Sequence, residues 1–375
     1  MVETFYRDSW IEVNLKHIAE NIKQLKMRLN ERTGIYAVVK ANGYGHGDVQ
    51  VAKAAIHAGA TRLAVALMDE AIRLREAGIR EPILVMGWIR PEHAQIAIDY
   101  DITVTCFQKE WIEAVKKIQL SNRLKVHLKW DTGMGRIGLT DEEELKALLA
   151  LLDEETFQVE GVFTHFATAD EKDLAYYNEQ NNKFKQLLKQ YSDERKTPFV
   201  IHTGNSAASM RFPDDMYDFV RYGISMYGLY PSPDVLEERP IELKPALSLY
   251  SRLVHVKKVE AGSFISYGAT YQAKEDEWIG TVPLGYADGI KRSLQGADVL
   301  VQGQRCEIVG RICMDQLMVR LPREMKVGEK VTLIGKQYNE EITMDELAEH
   351  LDTINYEIAC MLSYRVPRVY KGLEL

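Results

Sequence analysis

The chain has 375 residues, 46% of them hydrophobic, and its 47 basic and 55 acidic residues leave a net charge of −8. That is enough apolar material for a large core in more than one domain, and the acid excess argues against nucleic acid or an anionic membrane surface as the main partner. No apolar run approaches the roughly 20 residues of a bilayer span, and the opening MVETFYRDSW has no basic segment ahead of an apolar core, so neither a membrane span nor a signal peptide is expected.

From residue 34 the chain alternates between two textures. Short β-branched runs at GIYAVVK (34–40), RLAVAL (62–67), PILVMG (82–87) and ITVTC (102–106) predict strands. KVHLKW (125–130), VEGVFTHF (159–166), FVIHTG (199–204) and DFVRYGI (218–224) predict four more. Helical spacing lies between them, in DVQVAKAAIHAG and in MDEAIRLREAG, which closes on Gly78 as a helix C-terminus. The longest such segment, 173–191, puts Leu174, Tyr177, Asn181, Phe184, Leu188 and Tyr191 on one face. Strand–helix alternation implies parallel strands, and eight units of similar length favour a closed (β/α)8 barrel over a doubly wound open sheet.

After SMYGLYPSP (225–233) the texture changes, and the proline-containing 231–245 reads as a linker or surface loop. Beyond it strand-like runs dominate: 247–260, EWIGTVPLGYADG, DVLVQGQRCEIVGRICMDQLMVRLP and KVTLIGKQ. The only convincing helix there is TMDELAEHL (343–351), with Thr343 and Glu346 spaced as a capping box. The expected organisation is an α/β barrel domain over residues 1–241 and a mainly antiparallel β domain over residues 242–375. The cysteines Cys106, Cys306, Cys313 and Cys360 form no C-x-x-C pair and read as reduced, mostly buried thiols of a cytoplasmic protein. The nine histidines lack H-E-x-x-H spacing, so no metal is expected.

In such a barrel functional groups sit at the C-terminal ends of the strands and in the loops that follow. The sequence places Lys40 and Tyr44 after the first strand, Lys129 and Arg136 after the fifth, and His165 at the end of the sixth. HTGNS (202–206) ends the seventh, and Arg221, Gly223 and Ile224 the eighth. Lys40 closes an apolar run and precedes a flexible ANGYGHG. Burying an ammonium is unfavourable, and a desolvated amine can form a Schiff base with a carbonyl; a lysine reaching outward from a strand end is the plainer reading. Ser206 and the backbone N–H groups of Gly223 and Ile224 suggest a phosphate site, although a simple turn also explains them. DTGMGRIG (131–138) matches neither G-x-G-x-x-G nor a P-loop. It reads as a loop holding Arg136 for an anionic group, with a solvent-facing arginine as the alternative.

Taken together, AVVKANGYGHG, KWDTGMGRIG, THFATAD, HTGNSAAS, VRYGISMYGLYPS, SYGATY, PLGYADG, VGRICMDQ and INYEI resemble the alanine racemase family of pyridoxal-phosphate enzymes, in order and spacing, from about residue 8 to 370. The resemblance implies the same barrel-plus-β-domain fold, a head-to-tail homodimer, pyridoxal 5'-phosphate as cofactor and alanine as substrate. It implies that Lys40 carries the cofactor, with Tyr44, Ser206, Gly223, Ile224 and Tyr356 on its phosphate and Asn205 and His165 also beside it. Arg221 then faces the pyridine nitrogen with His202 next to it, and His165 links Arg221 towards a catalytic tyrosine, Tyr267. Lys40 and Tyr267 are the expected base pair, the lysine on the D-alanine side and the tyrosine on the L-alanine side. A tyrosine titrates near ~10 when free, so a base of this type needs a positive network beside it. An arginine at the pyridine nitrogen should limit side reactions such as transamination. Arg136 and the Met314 backbone are expected to hold the carboxylate, with Asp315 in support; Lys129 resembles a lysine often carbamylated in relatives, which would orient Arg136. Tyr286, Tyr356 and Arg311 are expected to narrow the entrance. The rival readings are a broader-specificity racemase of the same fold, a pyridoxal-phosphate decarboxylase of related fold, and a non-catalytic cofactor carrier built from the barrel alone. A carrier has no use for a second domain with Tyr267. The product would serve cell-wall peptidoglycan or the reaction alanine catabolism.

Overall fold

The computed structural model describes residues 5–194 and 198–373. They form two compact units, one of residues 16–43 and 48–245, the other of the chain up to Leu15, Tyr44–Gly47 and the chain from Ala246.

In the first unit the strands Gly34–Val38, Arg62–Val65, Ile83–Val85, Ile102–Cys106, Leu124–Lys129, Phe157–Phe163, Val200–His202 and Phe219–Tyr222 close into a barrel. All run parallel, and the first pairs with the eighth. Strands covered on both faces bury nearly every residue, which is why they read as unbroken apolar runs; Val104, Val126 and Leu128 have no exposed surface. The helix Met68–Glu76 ends ahead of Gly78, whose φ of 87° is the left-handed turn a glycine permits. The long helix is Ala175–Glu194 and buries Tyr177, Asn181, Phe184 and Tyr191 of the expected face, with Leu174 and Leu188 half-buried. A further helix, Leu15–Lys26, was not among the sequence expectations and buries Ile18, Ile22 and Leu25.

The second unit holds a sheet ordered Gln304–Glu307, Asp298–Val301, Lys330–Gln337, Leu247–Arg252, Ser9–Asn14 and Arg368–Lys371, with Glu340–Ile342 added to Lys330–Gln337. A second sheet pairs His255–Val259, Glu277–Val282 and Leu317–Leu321. Among the described residues these pairings are antiparallel except that of Ser9–Asn14 with Arg368–Lys371. The helix Met344–His350 is capped by Thr343, which accepts from the Glu346 N–H at 3.0 Å. It is not the only helix of this region: Asn355–Met361 is a second, hidden from sequence because Ile354 at its start offers no side-chain cap. The thiols are also less buried than expected. Cys106 and Cys306 are buried, but Cys313 is half-buried and Cys360 exposed. Among the described residues no helix is long and apolar enough to cross a membrane.

The chain's beginning is stapled into this unit by charge as well as by strand pairing. Buried Asp288 accepts from Arg7 Nη1 at 2.6 Å and Nη2 at 2.5 Å and from the Gly285 N–H at 3.0 Å. Burial alone would raise its pKa, but Arg7 and the Gly285 N–H outweigh that and hold it below the usual carboxylate value. A lowered folded pKa contributes stability that is complete above the unfolded value near ~3.9 and is lost as pH falls through the folded one. Asp288→Asn should therefore cost about 1.5–3 kcal/mol at neutral pH. In denaturant titrations at stepped pH, that deficit should shrink once the wild-type carboxylate protonates.

Candidate active site

Lys40 follows the first barrel strand and is half-buried, between the buried amine and the outward-reaching lysine that the sequence leaves open. The segment after it is not the flexible loop its glycines suggested. Ala41, Asn42 and Gly43 lie in the left-handed helical region (φ 53°, 52° and 59°), and Tyr44 continues it at φ 50°. Such a conformation costs roughly 1–2 kcal/mol for each residue with a Cβ, so something must hold it. The buried Glu70 carboxylate does so. One oxygen accepts from the Ala41 N–H at 2.6 Å; the other accepts from Ala66 and Leu67 at 2.8 and 3.1 Å. Glu70 thus ties the turn after Lys40 to the end of the second barrel strand. Sequence reading missed this residue, the third of its helix.

Arg221 is the centre of the barrel's polar interior. Its Nη1 donates to the His202 carbonyl and Nδ1, both at 2.8 Å. Its Nη2 donates to Thr164 O at 2.7 Å and Thr203 O at 3.0 Å, and lies 3.3 Å from His165 Nδ1. Burial draws the guanidinium down to about 9, still cationic at neutral pH. Desolvation, with the Arg221 charge next in weight, pushes both His165 and His202 well below the ordinary histidine value and keeps them neutral. Beside this strand end the Ser206 hydroxyl accepts the Gly223 N–H at 3.0 Å. Asn205 caps the helix Ser206–Arg211 by accepting from Ala208 at 3.0 Å, and Ile224 opens a short 3-10 turn. Helix starts leave N–H groups without intrahelical partners, and such groups bind anions.

Lys129 is buried, and its Nζ has no hydrogen-bond partner among the described residues; it lies 5.4 Å from the Phe163 ring centroid. Burial and the charge of Arg221 bring it down to about 8. Two residues on, Asp131 shapes the glycine-rich turn, accepting from the N–H groups of Gly133, Gly135 and Arg136 at 3.0, 3.1 and 2.9 Å. The Arg136 residue itself is exposed.

The remaining expected residues belong to the second unit. Tyr267, Tyr286 and Met314 are 71%, 43% and 54% exposed and line one open concavity of about 880 Å³. Tyr267 sits at the tip of the hairpin Phe264–Ile265 and Tyr271–Gln272, where the Ser266 hydroxyl donates to Arg311 O at 2.5 Å. Asp315 accepts from Arg365 at 2.7 Å. Buried Tyr44 and half-buried Tyr356 have ring centroids 6.3 Å apart.

The alanine racemase N-terminal domain family matches residues 13–231, and the alanine racemase C-terminal domain family matches residues 246–370. An alanine racemase of Geobacillus kaustophilus (strain HTA426) is 53% identical over 371 residues, 98% of this chain and 96% of its own length. The crystal structure of an alanine racemase from Bacillus anthracis with bound L-Ala-P has a TM-score of 0.96 at 48% identity, covering 99% of this chain and 97% of that one. A histidine racemase from Leuconostoc mesenteroides subsp. sake has a TM-score of 0.91 at 34% identity, covering 99% of this chain and 100% of that one. The architecture is thus one shared by amino-acid racemases. The chain belongs to the alanine racemase family.

Asp131→Ala removes the acceptor of three N–H groups in one turn. Amide exchange at Gly133, Gly135 and Arg136 should speed up while the barrel strands keep their protection, as hydrogen-exchange mass spectrometry can measure.

Proposed function

We propose that the protein interconverts L- and D-alanine, using pyridoxal 5'-phosphate and two bases, Lys40 and Tyr267, one for each face of the α-carbon. The observation that carries this reading is the donor set around the eighth barrel strand: Arg221 fixed by its acceptors, with Ser206 and Gly223 at the same strand end. This set suits the cofactor. It offers a primary amine for the aldehyde, a hydroxyl and helix-start N–H groups for the phosphate, and a guanidinium donor for the ring nitrogen.

When bound, the cofactor supplies the electron sink that makes the substrate's α-proton acidic. Lys40 would hold the cofactor covalently, and its amine would take or return that proton on one face. Tyr267 does the same on the other. Arg221 donates a hydrogen bond towards the ring nitrogen and keeps its own proton, while His202 orients it. Because His165 turns Nδ1 to Arg221, its proton sits on Nε2, a neutral donor for the Tyr267 oxygen. Ser206, Gly223, Ile224, Tyr44 and Tyr356 hold the phosphate, with Asn205 fixing Ser206. Arg136 and the Met314 backbone take the carboxylate, and Asp315 steadies the Met314 segment. A buried amine lowered to about 8 supports Lys129 as a carbamate orienting Arg136. We infer a homodimer in which Tyr267 and Met314 act in the partner's site. A racemase of wider specificity is the second reading, favoured by the histidine racemase neighbour; rates for alanine against serine and histidine decide between them.

Tyr267→Phe keeps the ring and removes the phenol. Racemisation should fall by about 10²–10⁴-fold, while deuterium from heavy water should still wash into D-alanine. Equal residual exchange from both enantiomers would mean a single mobile base. Mixing inactive Lys40→Ala with inactive Tyr267→Ala chains should restore activity, since one site of each mixed dimer is whole. Absence of recovery after verified subunit exchange would refute the shared site.

A further inference from the structure

Inside the barrel a third residue extends the Arg221–His202 pair, and no step above uses it. His127 is fully buried on the fifth strand, with Nδ1 2.8 Å from His202 Nε2. Its own Nε2 has no hydrogen-bond partner among the described residues. The proton positions along this chain follow from one fact: a guanidinium can only donate. Arg221 therefore requires a lone pair on His202 Nδ1, which places the His202 proton on Nε2. That proton requires a lone pair on His127 Nδ1, which places the His127 proton on Nε2, where nothing receives it. Protonating either ring would set two N–H groups against each other, so both stay neutral.

The backbone is shaped to admit this ring. The register between the fifth and sixth strands slips between Val126 and His127, and the residue paired with His127 is Gly161. A Cβ at Gly161 would lie 2.6 Å from His127 Cε1. An apolar side chain filling the same space would bury no orphaned N–H, which costs stability when left unpaired. Phe163 stacks on His202 at 4.7 Å between centroids and 12° between planes, and Tyr36 lies 5.0 Å from the same ring, so packing holds His202, while no described residue accepts from His127 Nε2.

We infer that His127 is a positioning residue: by accepting a hydrogen bond from His202 Nε2–H it joins Arg221 in holding His202 to the one tautomer that presents Nδ1 to the guanidinium, and so steadies the guanidinium in the barrel. Its effect on turnover rests on the proposed reaction; its effect on the tautomer does not.

The test uses cofactor-loaded protein carrying isotope-labelled histidine. In the wild type, nitrogen NMR should show His202 as a single Nε2–H tautomer with an N–N coupling across its hydrogen bond to His127. Absence of that coupling would overturn the proposal without any variant. His127→Leu removes the acceptor, whereas His127→Asn keeps an oxygen near the place of Nδ1. With Leu, His202 should lose its single tautomer and kcat for alanine should fall roughly tenfold, more than KM changes; Asn should recover both. An unchanged His202 tautomer in His127→Leu would also overturn it. If the tautomer responds as stated but the wild type racemises no alanine, the proposed function fails and the positioning role stands.

Discussion

A cation buried in the middle of a barrel is tolerable only if it is met by acceptors, and Arg221 sets that condition for the surroundings of its Nη1 and Nη2. Three backbone carbonyls, from Thr164, His202 and Thr203, turn towards it from the ends of the sixth and seventh strands. Two imidazoles complete the shell through their Nδ1 atoms. Burial, and after it the same charge, then dictates what its neighbours can be. His165 and His202 stay neutral, and Lys129 loses part of its hold on its proton. Two neutral imidazoles around one guanidinium cation are a different medium from water.

The barrel was readable because strands buried on both faces become short apolar runs, each separated by a helical period. The strand ends were readable for the same reason: once the eight runs are placed, Lys40, Lys129, His165, His202 and Arg221 fall at one rim. What sequence could not reveal was whatever depends on a distant acceptor. Nothing in AVVKANGYGHG announces a left-handed turn, because Ala41 and Asn42 adopt it only with Glu70 receiving the Ala41 N–H. The strand slip at His127 is invisible until Gly161 is known to face it. Asn355–Met361 escaped notice because a helix begun by Ile354 carries no capping signal. SWIEVN, too short to be persuasive alone, is a central strand only because Leu247–Arg252 and Arg368–Lys371 flank it.

Spacing located a rim of polar side chains; the motifs attached roles to them, and the geometry supplied the proton positions that neither contains. His165 illustrates the division. Its place at a strand end is a matter of periodicity, while its tautomer follows only from the 3.3 Å approach of Arg221.

The strand Ser9–Asn14 has a consequence for how the chain is made. A ribosome delivers it well ahead of its two neighbours, Leu247–Arg252 and Arg368–Lys371, which emerge more than two hundred residues later. Among the described strands its antiparallel and parallel ladders therefore close the longest loops, the kind that form slowly. While they are open, both edges of SWIEVN are bare, and an unpaired apolar strand is a template for another nascent chain. Synthesis of this protein thus carries an early exposure that ends only when Arg368–Lys371 has been made.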